Sequence, residues 1–195
     1  MMKSVKLTVS MREKIVKDIM IHRFRKQADQ FTKEHLELVD KFYREIYCDA
    51  TRQKMDALPN GWLPHETNFR IKTPSTYYHI YTYRVYDPDV SNIASEVQGK
   101  KYRVPYHLHH ATHVIDNLNL INEYEVLREK IGDLRAEMRK AKNTLSGNLS
   151  KFNTTKQLVD AWPEVRPFIK VDEDIKVQLP AVPVKELNEL LDLPV

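Results

Sequence analysis

Residues 120–145 read LINEYEVLREKIGDLRAEMRKAKNTL. Apolar or near-apolar side chains fall at Leu120, Tyr124, Leu127, Ile131, Leu134, Met138, Ala141 and Leu145, in unbroken steps of four and three. Such a heptad, with its a and d positions filled, predicts one long helix that presents a narrow seam to a partner. At 1.5 Å rise per residue the helix spans roughly 40 Å, so something must pack along it. The partner is either another helix of this chain or the same helix of a second copy.

The flanks of the seam carry a charge pattern. With Tyr124 at a, the e positions are Arg128, Arg135 and Lys142, and the g positions are Glu123, Lys130 and Glu137. In a parallel self-pair Glu123 would oppose Arg128 and Glu137 would oppose Lys142, with Lys130 against Arg135 as the one mismatch. An antiparallel self-pair would set the basic row against itself. Carboxylates at Glu37, Asp40, Glu45 and Asp49 offer partners within the chain. Rim pairs of this kind contribute under about 1 kcal/mol each, so they select a partner more than they stabilise it. The candidate oligomer seam, and with it a homodimer through the long helix, is Leu120, Tyr124, Leu127, Ile131, Leu134, Met138 and Leu145. Candidate contacts for nucleic acid or a protein partner are Arg128, Arg135, Arg139 and Lys142, together with Arg84 and Arg103.

The chain has 195 residues, 42% of them hydrophobic, which is enough for one domain with a real core. Four regions are expected within that single domain: a helical hairpin over 1–58, a small sheet over 59–110, the long helix over 111–150 and a C-terminal strap over 151–195. No run of about 18 apolar residues is present, and the N-terminus leads directly into charged sequence, so a soluble protein of the cytoplasm with no membrane contact is expected. Cys48 is the only cysteine, which excludes an intrachain disulfide framework. Its helical context points to packing. Net charge is +4, unevenly spread: residues 1–58 hold 13 basic and 9 acidic side chains, residues 155–195 hold 5 and 8. A basic body is compatible with nucleic acid, as is any mixed-charge helical surface.

Ser10 with Glu13 forms a capping box for a helix over about 11–27, and Thr32 can cap a second helix reaching about Met55. Leu58-Pro59-Asn60-Gly61 ends the hairpin. The period then changes from 3.6 to 2. Strands are expected over 68–73 and 76–86, joined at Pro74-Ser75, and over 100–106; residues 90–98 suit a short strand or a helical turn. The fold class is therefore α+β, with a small antiparallel sheet against the helices. After the long helix, Thr154 with Gln157 starts a short helix that Pro163 stops, and residues 184–191 form another behind Pro183.

Two constellations invite chemistry. His107, His109, His110 and His113 lie within seven residues, and neutral imidazoles sharing a face can hold a divalent metal. His107, His109 and His113 are the candidate ligands, although a catalytic site needs a third protein ligand and a structural one a fourth. A strand-to-helix junction of partly exposed histidines has the same appearance. The second is the tyrosine-rich strand. Tyr77, His79, Tyr81, Tyr83 and Val85 face one way, with Tyr78, Ile80, Arg84 and Tyr86 on the other. Aromatics on a sheet beside Arg70, Lys72, Arg84 and Arg103 supply the stacking faces and cations of a single-strand platform. Tyrosine is also an ordinary strand residue. Phosphate-loop, nucleophile-elbow and zinc-protease signatures are absent, and a total of four glycines argues against a nucleotide-cradling loop. No catalytic residue is nominated.

The segments LVDAWPEVRPFI (158–169) and LPAVPVKELNELL (179–191) resemble the end of a family of small bacteriophage and prophage proteins, the fifth group of nucleotide-modification-associated domains. LPNGWL (58–63) is similar to that family's link between helices and strands. The resemblance implies a phage-encoded accessory protein in the cytoplasm of an infected bacterium, and it carries no catalytic residue. Trp162 and Phe168 look like an anchor strapping the tail over the body. The expected function is binding, to a host defence or DNA-processing protein or to nucleic acid. The alternatives are a metal-dependent enzyme acting on nucleotides or modified bases, and a virion assembly protein.

Overall fold

A computed structural model describes residues 4–57, 65–66, 68–82, 84–94, 102–103 and 112–169. In chain order the elements are α1 (Val9–Ile46), α2 (Asp49–Asp56), β1 (His65–Glu66), β2 (Asn68–Lys72), β3 (Tyr77–Tyr81), α3 (Pro88–Ile93), β4 (Tyr102–Arg103), β5 (Thr112–Val114), α4 (Leu118–Leu149) and α5 (Thr155–Ala161), followed by a 3-10 helix (Pro163–Phe168). The class is α+β, as the two periodicities predict. No helix among the described residues is long and apolar enough to cross a membrane.

The expected N-terminal hairpin is replaced by one helix of 38 residues. Nothing in Ala28-Asp29-Gln30-Phe31 interrupts a helix, and buried Ala28 and Phe31 carry the apolar stripe across the predicted turn. Thr32 does not cap; its hydroxyl donates to the Ala28 carbonyl at 2.7 Å. The start also moves, because Thr8 rather than Ser10 is the N-cap and accepts from the Met11 N–H. The chain turns at Tyr47, and α2 follows behind Cys48, which is exposed rather than packed and hydrogen-bonds the Thr51 hydroxyl at 3.2 Å.

The partner of the long helix is α1, lying antiparallel to it. Arg23 meets Glu137 at 2.7 Å near one end, and Lys41 meets Glu123 at 2.5 Å near the other. Leu120, Tyr124, Leu127, Leu134 and Met138 are buried, and Ile131, Ala141 and Leu145 are partly buried against the same core. As an oligomer seam this row is corrected: its own chain fills it. The g-position acids Glu123 and Glu137 take bases on α1, while of the e-position bases Arg135 reaches Asp87 ahead of α3 and Arg128 lies over Tyr78 of β3.

The sheet has the order β3-β2-β5. β2 and β3 pair antiparallel through the Pro74-Ser75 turn, closed by Thr73 N–H to the Thr76 carbonyl at 2.9 Å. β5 lies parallel to β2, so the sheet is mixed rather than antiparallel. Its three residues occupy ground expected to be helix, and α4 begins only at Leu118, capped by Asn117. The physical reason is the crossover: a chain returning to the far edge of β2 after some forty residues arrives without the geometric constraint of a hairpin. β1 and β4 form a separate antiparallel pair.

The C-terminal segment is tied to the start of the chain. Leu7 N–H donates to the Asn153 carbonyl and Thr155 N–H to the Val5 carbonyl, each at 2.8 Å. Thr154 caps α5 by accepting from Gln157 N–H, as its capping signature predicts. Phe168 packs edge-on to His22 of α1 at 5.4 Å, and Trp162 is partly buried against the core. The segments 58–63 and 179–191, which also carry the family resemblance, lie outside the described residues.

Candidate functional site

Alternation along the strands gives the sheet two unlike faces. Phe69, Ile71 and Ile80 are buried on the inner face, with Tyr78 half-buried beside them. The register puts Lys72 opposite Tyr77 and Arg70 opposite His79 on the outer face, and Tyr81 of β3 with Thr112 and Val114 of β5 continue it. Tyr77 is 63% exposed and Val114 66%. Lys72 Nζ sits 5.7 Å from the centre of the Tyr77 ring. None of these outward positions is acidic. Arg70, Lys72 and His79 form no ion pair among the described residues. Cations and aromatic faces therefore stand side by side without a carboxylate to neutralise them.

Behind the sheet, between β3, α3 and α4, lies a cleft of about 470 Å³. Tyr124 forms its inner wall, held edge-on by Phe42 at 5.7 Å and by Tyr78 at 5.4 Å. The Tyr78 hydroxyl donates to Glu125 at 2.6 Å, and the Arg128 guanidinium lies 4.8 Å over the Tyr78 ring. Arg135 reaches Asp87 at 3.2 Å. Asp87 is buried because it also caps α3, accepting from the Asp89 and Val90 N–H groups. Tyr86 lines the mouth with one ring face stacked on Tyr81 at 5.0 Å. Gly132 lines the opposite side, and a Cβ added there would meet nothing within 4 Å.

Burial sets the protonation of the walls. Tyr124 is pushed up to about 12 by desolvation, against a smaller opposing pull from Arg128. Tyr78 is raised by desolvation and then by its bond to Glu125. Both phenols are therefore neutral donors at physiological pH. His35, 2% exposed, is lowered by desolvation, only partly offset by backbone hydrogen bonds to Tyr81 and Arg84. A carbonyl can only accept, so Nε2 carries the proton that it donates to the Tyr81 carbonyl at 2.7 Å. His113 is lowered by burial as well.

Acid should therefore destabilise the fold. Below the ordinary histidine value of 6.5 the unfolded chain takes up protons that folded His35 and His113 refuse. Their contribution is complete above that pH and is lost as pH falls below it, by up to about 1.4 kcal/mol per unit for His35 and by less for the partly exposed His113, where water screens the charge. Urea midpoints at several pH values between 7.5 and 5 check this, and His35→Gln should flatten the slope. An unchanged slope in that variant would remove His35 from the account.

The structure sorts the expected contact residues into different places. Arg128 and Arg135 enter the cleft. Arg139 pairs with Asp89 at 3.1 Å and, with Lys142, lines a separate groove between α1, α3 and α4. Arg84 is exposed in the irregular segment after β3, and Arg103 belongs to β4 opposite His65. Of the expected metal ligands, His113 sits in β5 with its ring 5.7 Å from that of Tyr47; His107 and His109 lie outside the described residues. Among the described residues no group of three His, Cys, Asp or Glu side chains is placed to hold a metal ion. Sequence reasoning missed Tyr124 as a cleft residue, as well as His35, Asp87, Glu125 and Gly132. A usable signal was present: a hydroxyl at a heptad core position and a histidine on an apolar helix face both ask for a reason.

The family described as nucleotide modification associated domain 5 matches residues 6–194. The chain belongs to that family. The match to nucleotide modification associated domain 5 thus covers nearly the whole chain and is not confined to the C-terminal motifs. The family's description names an association with nucleotide modification and no reaction. No curated protein and no solved structure matches the chain.

Proposed function

We propose that this protein is a phage-encoded accessory protein that acts by binding single-stranded nucleic acid on the outer face of its sheet, in the cytoplasm of an infected bacterium. The observation that carries this reading is the outer face itself: Arg70, Lys72, Tyr77, His79 and Tyr81 in register on adjacent strands, with no acid among them. Bases stack on aromatic rings of any sequence context, and neighbouring cations take the phosphates. Family membership supports a nucleotide-containing ligand over another class. Capture of a host protein, or assembly through the long helix, drew its motivation from an open seam; α1 occupies that seam, so the sheet face is the better-supported surface.

Fluorescence anisotropy with labelled single-stranded and duplex DNA tests the proposal. Single strands should bind more tightly than duplex. Tyr77→Ala should weaken binding by about 1–3 kcal/mol, the range for losing one stacked base. Arg70→Ala or Lys72→Ala should each reduce the slope of log K against log salt by about 0.7. Equal affinity for duplex, or no retention of either at low salt, would refute the reading.

A further inference from the structure

The cleft between the sheet and α4 holds polar groups whose hydrogen-bonding capacity the fold uses only in part. Tyr124 is 4% exposed and lines the cleft, and its hydroxyl makes no hydrogen bond to another described residue. Arg128 makes no ion pair among the described residues; it lies over the Tyr78 ring and hydrogen-bonds the Tyr78 side chain, which leaves further N–H donors of its guanidinium for an acceptor. Glu125, three residues before Arg128 on the same helix, accepts one bond from Tyr78 and keeps most of its acceptor sites. Donor fork and carboxylate therefore stand one helical turn apart beside aromatic rings, in a space of the size that holds small organic ligands.

We infer that this cleft binds a nucleobase carrying both an exocyclic amino group and a carbonyl, cytosine or guanine, supplied as a nucleoside, a nucleotide or a base of a strand. Glu125 accepts from the amino group, Arg128 donates to the carbonyl, and the Tyr124 hydroxyl donates from the inner wall. Thymine offers two carbonyls and no amino group to Glu125; adenine offers an amino group and no carbonyl to Arg128. Tyr86, with one face on Tyr81, keeps the other for stacking at the mouth. The site stands apart from the proposed sheet-face interface, because different residues on a different surface carry it.

Calorimetric titration of the full chain with deoxycytidine, deoxyguanosine, deoxyadenosine and thymidine tests the inference. Deoxycytidine or deoxyguanosine should bind at least about tenfold more tightly than thymidine and deoxyadenosine, the discrimination expected of one paired hydrogen-bonding group. Tyr124→Phe should weaken that binding about fivefold to tenfold without lowering the thermal midpoint, since the hydroxyl makes no bond in the fold. Gly132→Leu places a side chain in the open space and should abolish binding while leaving the fold intact. Lys72→Ala should leave nucleoside binding unchanged; if oligonucleotides fail to bind and nucleosides still do, only the sheet-face reading falls. The inference is overturned if none of the four saturates by about 10 mM, if thymidine or deoxyadenosine binds as tightly, or if Gly132→Leu in a folded protein binds as the parent does.

Discussion

Replacing Leu134 by alanine should lower the unfolding free energy by about 2–5 kcal/mol, the range for deleting a leucine from a well-packed core. Leu134 is 2% exposed in the middle of the seam between α1 and α4, where a cavity has little room to collapse. The loss would be a large part of the roughly 5–15 kcal/mol that stabilises an ordinary domain. The seam also dictates how stability depends on concentration. Because α1 and α4 belong to one chain, the urea midpoint of parent and variant should not move with protein concentration. A seam shared between two copies would instead give a midpoint that rises with concentration. A rising midpoint, or a loss under about 1 kcal/mol as for an exposed side chain, would show that the row is not the intrachain core described.

Asp87→Ala should cost about 2–4 kcal/mol, because one buried carboxylate serves two structures at once. Its Oδ1 caps α3, accepting at 3.0 Å from Asp89 N–H and 3.2 Å from Val90 N–H, and its Oδ2 meets Arg135 of α4. Losing a cap costs about 0.5–2 kcal/mol, and losing hydrogen bonds to a charged group adds about 1.5–3. Asp87→Asn separates the two roles, since asparagine caps as well as aspartate but offers Arg135 no charge. Most of the stability should survive in Asp87→Asn, because Arg135 is half-exposed and its ion pair is screened. Paired denaturation curves for the two variants measure this. Equal losses would mean that the ion pair, not the cap, fixes α3 against α4.

The open face of the sheet was largely legible in the chain. Strict alternation from Tyr77 to Tyr81 places tyrosine and histidine on one side whatever packs behind them, and β2 supplies Arg70 and Lys72 by the same period of two. The cleft was not legible. Its walls come from His35, Tyr78, Asp87, Tyr124 and Arg128, residues separated by up to 93 positions and brought together only when α3 and β3 dock on α4. The helical hairpin failed for a related reason. Capping residues such as Ser10 and Thr32 mark a helix start only where the backbone leaves the helix, and here burial against α4 kept it helical.

By itself the sequence determined the helix of residues 118–149, the two-residue period of β2 and β3, the turn between them and the cap at Thr154, because each follows from neighbours a few positions apart. Tertiary structure alone decided which helix covers the heptad seam, the parallel pairing of β5, and the burial of Tyr124 and His35 at the cleft. A heptad specifies the shape of a partner and not its address: α1 and a second copy of α4 offer the same apolar knobs. The closer partner wins because folding a chain back on itself costs only loop entropy, whereas recruiting another molecule costs translational and rotational freedom as well.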